Sequence, residues 1–230
     1  MSKTIVLDPG HGGTDPGAVN GTRKESNDVL KLGQAVQKLL AAQGQAVIMT
    51  RTADTSTTLA QRTNQANAAK ADLFVSLHRN SFTNSTANGV EIWVYTTAGA
   101  VEVGAATEVL ERLVAVGVQS NRGVKKGNYH VCRETAMPAM LVELGFIKNA
   151  KDNELFDTKF DAYALAIAKG ICAAVGEPYK EAGTAQPDIL YRVQVGAFGV
   201  KANADAFLGT VRGMGLEAFL VSVDKATGTE

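Results

Sequence analysis

Strand-like and helix-like patterns alternate from residue 3 to residue 175, and a chain that alternates in this way folds as a sheet covered by helices. Thr4 to Asp8 reads as a buried strand, and Gly10-His11-Gly12-Gly13 as a tight loop beyond its C-terminal end. From Glu25 to Gln43, Val29, Leu32, Val36, Leu39 and Leu40 recur at helical spacing until Gly44 stops the helix. Ala46 to Thr50 is a short strand, Thr58 to Lys70 a helix rich in Ala and Gln, and Asp72 to Leu77 a further strand. Gly89 to Thr96 sets Val90, Ile92 and Val94 against Glu91, Trp93 and Tyr95, the alternation of a half-buried strand. A helix is expected from Ala100 to Val116, strands from Tyr129 to Arg133 and from Ala139 to Leu144, and an amphipathic helix from Asp157 to Val175. The expected class is therefore α/β, with helices on both sides of the sheet.

The pattern breaks after this helix. Glu177 to Asp188 carries Gly, two Pro and small polar residues without apolar periodicity, and reads as a linker. A second unit follows, with a strand at Leu190 to Phe198, a helix over about 202–214 and a strand at Glu217 to Val223. The expected division is a domain over 1–176, a linker over 177–188 and a small βαβ unit over 189–230.

Composition narrows the function. Twenty-three basic residues balance twenty-three acidic ones, so the basic excess that phosphate neutralisation demands is missing, and no nucleic-acid partner is expected. No apolar run reaches the roughly 20 residues of a membrane span. Met1-Ser2-Lys3 passes straight into the first strand, leaving no room for a signal peptide, so synthesis in the cytoplasm is expected. Cys132 and Cys172 sit among apolar neighbours and read as buried free thiols.

In an open α/β sheet, ligands bind outside the carboxyl ends of the strands. His11, His78 and Glu143 fall at such ends, and Glu25 opens the first long helix. On that helix Glu25 shares a face with Val29, Leu32 and Val36, so it points toward the core. Two imidazoles and one carboxylate are a common ligand set for one catalytic zinc ion, which lowers the pKa of a bound water to about 7. A second, non-ligating carboxylate serves as general base, and Glu143 suits that role. Each residue taken alone has a bland reading. A Glu in a first helical turn is favoured by the helix dipole, and a His at a strand end is usually a hydrogen-bonded loop residue. Convergence of all four at one sheet edge outweighs those readings.

At these residues the sequence resembles the zinc-dependent N-acetylmuramoyl-L-alanine amidases of the amidase 3 group. The opening block is Val6-Leu7-Asp8-Pro9-Gly10-His11-Gly12-Gly13 with Asp15-Pro16-Gly17-Ala18. The middle blocks are Leu59-Ala60-Gln61-Arg62 with Ala66-Asn67, then Ala71 to Asn80. The closing block is Met137 to Phe146 with Asn149 and Asp152. The resemblance implies a twisted, mostly parallel sheet flanked by helices. It implies zinc on His11, Glu25 and His78, with Glu143 catalytic. The implied reaction cuts the amide between N-acetylmuramic acid and the L-alanine of the stem peptide. Arg79 departs from the small residue common before Asn80, and both are expected to contact substrate. His130 matches no family ligand. With Cys132 it could form a second metal pair on a strand face, but both are read as packing residues.

Tyr191 to Phe198, Asn203 to Ala206 and Gly215 to Phe219 resemble the first half of a SPOR domain, a module that binds glycan strands stripped of stem peptides. Arg192 and Gln194 are the expected glycan contacts. A SPOR fold repeats its βαβ unit, so two chains are expected to complete one fold as an intertwined homodimer. The expected function is a peptidoglycan hydrolase, a phage endolysin or bacterial autolysin, that acts on the wall after release or lysis. The alternatives are a zinc peptidase cutting within the stem peptide and a non-catalytic wall-binding module. Nucleic-acid binding by the tail is a further and poorer one, since the tail lacks paired strand aromatics.

Overall fold

The computed structural model describes residues 2–181 and 196–222. Cα packing divides the chain into two units, Met1–Glu181 and Ala182–Glu230.

The first unit opens with strand β1 (Thr4–Pro9), a small antiparallel pair β2 (Val19–Asn20) and β3 (Arg23–Lys24), and helix α1 (Glu25–Ala42). There follow β4 (Ala46–Met49), α2 (Leu59–Ala68), β5 (Leu73–Asn80), β6 (Val90–Tyr95) and α3 (Ala100–Val116). It closes with β7 (Asn121–Gly127), α4 (His130–Arg133), β8 (Ala139–Phe146), α5 (Ala150–Thr158) and α6 (Phe160–Ala174). Six strands form one sheet in the order β4-β1-β5-β8-β6-β7. All neighbouring pairs are parallel except β6 with β8, as the mostly parallel expectation requires.

The central strands are nearly continuous apolar runs because both faces of the sheet are covered. On one face Ile5, Leu7, Val75, Leu77, Val142 and Ile92 pack with Val29, Leu32 and Val36 of α1, Val109 of α3 and Ile167 of α6. The opposite face carries the smaller cluster of Val6, Phe74 and Leu141 with Ala66 of α2 and Val131 and Cys132 of α4. Strand alternation puts Asp8, Ser76, His78 and Glu143 on this thinly covered face.

Two expectations are corrected in this unit. Tyr129 to Arg133 is not a strand: Tyr129 is extended and His130–Arg133 is a single helical turn. The edge strand is Asn121–Gly127 instead, whose Arg122, Lys125 and Lys126 give no apolar signal. Charged residues of this kind are what blunts a sheet edge. His130 and Cys132 therefore share no strand face, and the possible metal pair disappears. The last helix of the unit starts at Phe160, after the separate helix α5, rather than at Asp157.

In the second unit, helix α7 (Lys201–Gly213) forms close to its expected place. The strand expected at Glu217 to Val223 does not: 217–222 carry no strand pairing among the described residues. A strand exists only through its ladder partner, and the counterpart expected at Leu190 to Phe198 lies mostly outside the described residues, as do Arg192 and Gln194.

Candidate metal centre and active site

The centre is built where β1 and β5 end and α1 begins. After Pro9 the chain enters the glycine loop, and Gly10 N–H donates to Leu77 O at 3.0 Å, keeping the loop against β5. His11 then adopts φ 60°, a left-handed conformation uncommon outside glycine. Gly17, at φ 66°, lets the returning chain pass over the site: a Cβ there would lie 2.7 Å from both Glu25 Oε2 and His11 Cδ2. Ala18 N–H donates to Glu25 Oε2 at 2.9 Å, and Arg79 N–H to Glu25 Oε1 at 3.0 Å.

Three donor groups converge. Glu25 Oε1 is 2.9 Å from His78 Nδ1 and 3.2 Å from His11 Nε2, with the imidazole centroids 4.9 Å apart at 83°. One donor atom from each residue lies within 4.8 Å of the others. Tetrahedral zinc with ligands at about 2.0–2.1 Å separates neighbouring donors by about 3.3 Å, so the donor set fits the ion. Asp15 Oδ2 accepts from His11 Nδ1 at 2.8 Å, which fixes the tautomer and leaves Nε2 free to ligate. In the metal-free chain, burial works to lower the His11 pKa, but the hydrogen bonds and charges of Glu25 and Asp15 overcome it and raise the value to about 9. Burial likewise opposes ionisation of Glu25, yet the two histidines hold its carboxyl well below the usual carboxylate range.

Glu143 sits in the same row of the sheet. Its ladder partner on β5 is His78 and on β6 is Glu91. Burial, with Glu25 and Glu91 adding to it against the opposing histidines, pushes its pKa up to about 7. Its Oε2 is buried with no hydrogen-bond partner among the described residues. This is a carboxyl kept uncommitted beside the three converging donors, the condition for a group that exchanges protons near neutrality.

A cleft of about 690 Å³ opens over the centre, bordered by His11, Glu25, His78, Glu143 and the Tyr129 to Val131 segment. Asn80 also borders it, with its amide N–H given to Glu91 Oε1 at 2.9 Å. Arg79 is placed otherwise than expected. Its side chain is fully buried, with Nη1 2.8 Å from Asp28 Oδ2, Nη2 2.7 Å from Asn153 Oδ1, and the guanidinium 4.2 Å from the Phe156 ring centroid. Through these contacts the guanidinium ties β5 to α1 and α5, while its Nε is buried with no partner among the described residues. His130 borders the cleft with Nε2 buried and unpartnered among the described residues, and it is not one of the converging donors. Cys132 is buried, and desolvation pushes its thiol up to about 12, in keeping with an inert core cysteine.

Sequence reading missed Glu91. Alternation with Val90 and Ile92 placed it on the exposed side, but it is 3% exposed, held by Arg122, Lys125, Asn80 and Trp93. No sequence signal links it to cations on a strand thirty residues away.

An α/β sheet that brings two histidines at its strand ends together with a glutamate at a helix start, and sets an uncommitted carboxyl beside them, has the groups of a hydrolytic site. Residues 5–175 match the N-acetylmuramoyl-L-alanine amidase family, and the chain belongs to it. Residues 187–229 match the SPOR domain. The N-acetylmuramoyl-L-alanine amidase CwlM of Bacillus licheniformis is 36% identical over 96% of this chain and 85% of its own length. The sporulation-specific N-acetylmuramoyl-L-alanine amidase of Bacillus subtilis is 34% identical over the same shares. Among solved structures, the catalytic domain of the amidase CwlV from Bacillus (Paenibacillus) polymyxa superposes with a TM-score of 0.71 at 36% identity. That match covers 76% of this chain and 98% of that one. The chain is thus an amidase-class enzyme, and no helix among the described residues is long and apolar enough to cross a membrane.

Proposed function

We propose that the chain hydrolyses the amide between N-acetylmuramic acid and L-alanine in peptidoglycan, with His11, Glu25 and His78 holding one zinc ion and Glu143 as general base. The observation that carries this reading is the placement of Glu143 in ladder register with His78, beside three converging donors. Zinc, when bound, would polarise the scissile carbonyl and acidify water. Glu143 takes the proton from the attacking water and passes it to the departing L-alanine nitrogen as the C–N bond breaks. Asp15 holds the His11 ring in its ligating tautomer, and Asn80 at the cleft border is positioned to meet substrate. The SPOR match supports action at the cell wall, with the tail gripping glycan through Arg192 and Gln194. Pairing of two tails is supported by exposure alone: among the described residues α7 buries none of its own, and Leu216 and Phe219 are exposed. Light scattering on residues 1–230 and 1–176 tests that pairing, which a monomer at high micromolar concentration refutes.

Mass spectrometry of digested peptidoglycan tests the reaction. Free lactyl carboxyls and new L-alanine amino termini are the expected products, and cuts inside the stem peptide would instead make the chain a peptidase. Glu143→Gln is expected to keep zinc at wild-type stoichiometry while cutting turnover by about 10² to 10⁴-fold. Glu25→Gln is expected to lose zinc itself. Equal metal loss in both variants would overturn the division of roles.

A further inference from the structure

Two buried arginines pack against the loop that carries His11, Arg62 also lining the cleft, and their hydrogen bonds follow an unusual pattern. Every hydrogen bond that Arg51 makes among the described residues goes to a backbone carbonyl. Nε donates to Pro9 O at 2.9 Å, Nη1 to Ala53 O at 3.1 Å, and Nη2 to Gly10 O at 2.8 Å and to Ser26 O at 2.7 Å. Arg62 gives Nε to Thr57 O at 3.1 Å, Nη1 to Pro9 O at 2.8 Å and Nη2 to His11 O at 2.7 Å. Its one carboxylate partner is Asp8, at 2.6 Å from Nη1. Asp8 in turn accepts from Thr50 Oγ1 at 2.6 Å and, through Oδ2, from Ser76 Oγ at 2.7 Å. Arg51, Arg62 and Asp8 are each 3% exposed or less.

The carbonyls chosen are informative. Pro9, Gly10 and His11 form the turn that delivers the first ligand, Ser26 follows the second ligand, and Ser76 lies two residues before the third. One Arg51 nitrogen bridges the His11 loop to the first turn of α1. Arg62 and Asp8 continue the chain of contacts to β5. Burying two neighbouring cations is costly unless their donors are satisfied, and neutralising acids would be the ordinary way to do so. Here Asp8 pairs with Arg62 alone, and the planar forks otherwise hold a backbone that includes a left-handed His11. A non-glycine residue stays in that region only where its surroundings over-determine it. The loop is shaped to receive the fork: a Cβ on Gly12 would lie 2.9 Å from Arg51 Nε.

We infer that Arg51 and Arg62, which meet at the Pro9 carbonyl, with Asp8 tying Arg62 to β5, are positioning residues that preset the three metal-bearing segments before the ion arrives. The inference rests on the metal reading given above. Preorganisation means that zinc binding need not order the His11 turn, so loss of the clamp weakens binding without removing a ligand. Lysine keeps the charge and the stem but offers a point donor in place of a fork, and so cannot span the same carbonyls.

The test is zinc competition against a chromophoric chelator, using the full chain, with melting of the metal-free protein alongside. Arg51→Lys and Arg62→Lys are expected to stay folded and to raise the zinc Kd by about 10- to 100-fold, the range for partners that orient a ligand. Leu113→Ala, a core change on the other face of the sheet, is expected to lower the melting temperature and leave the Kd unchanged. Wild-type Kd in both lysine variants overturns the inference, as does an equal Kd rise in Leu113→Ala, which would make the effect one of general stability. A wild-type chain that takes up no zinc would instead sink the metal reading itself.

Discussion

Gly10 offers a way to test His78 as a zinc ligand without touching its side chain. The His78 imidazole occupies the space that a Cβ on residue 10 would fill. That Cβ would lie 2.2 Å from His78 Cε1, 2.5 Å from Nε2 and 2.8 Å from Nδ1. An ordinary carbon contact needs about 3.5 Å, so the ring in Gly10→Ala must withdraw by about 1.3 Å. Metal–ligand distances tolerate only about 0.2 Å, so a displacement of that size removes His78 from the ligand set. The backbone gives no reason for a folding defect, since residue 10 is not among the positive-φ positions and alanine lowers unfolded-chain entropy by about 0.4 to 1 kcal/mol. Gly10→Ala should therefore melt near wild type when metal-free and bind zinc more weakly than any variant that only reorients a ligand, by more than about 100-fold. Isothermal titration with zinc and calorimetry of the chelated protein provide the two readouts. Gly99→Ala is the control, because the nearest atom to its Cβ is 3.6 Å away. Wild-type zinc affinity in Gly10→Ala would refute the claim that His78 ligates from this rotamer.

Other outcomes follow from the charges around the centre. In the metal-free chain His11 titrates at about 9 against an ordinary 6.5, so its stabilising contribution is complete below pH 6.5 and is lost as the pH rises through 9. The melting temperature of chelated protein should fall across that window, and zinc-loaded protein, with the imidazole held neutral by the ion, should not show the fall. Asp28→Ala leaves the fully buried Arg79 guanidinium without its carboxylate and should cost about 3 to 5 kcal/mol in urea unfolding, while a cost below about 1 kcal/mol would mean that Asn153 and Phe156 suffice. Cys132 should resist a thiol reagent at pH 8 in the folded protein and react in denaturant, since burial holds its thiol near 12.

The sequence revealed most of what periodic burial dictates. Helix α3 falls at its expected bounds because its apolar spacing and Gly117 mark both ends, and α1 was legible because Glu25 shares the buried face of Val29 and Leu32. The edge strand Asn121–Gly127 was not, because an edge strand half-covered by cations has no alternation to read. At the site, the convergence of His11, Glu25 and His78 could be read from residue types at two strand ends and one helix start. Arg79 could not be placed, because its direction is decided by Asp28, Asn153 and Phe156, which are distant in sequence.

Strand order carries a consequence for synthesis. β5 lies between β1, already made when it emerges, and β8, whose last residue follows some sixty-five positions later. A nascent chain that has released β5 but not β8 therefore presents a long, almost wholly apolar strand with one side unpaired. During that interval it also has the converging His11, Glu25 and His78 but no Glu143. The exposed β5 edge marks the species most open to aggregation or chaperone binding.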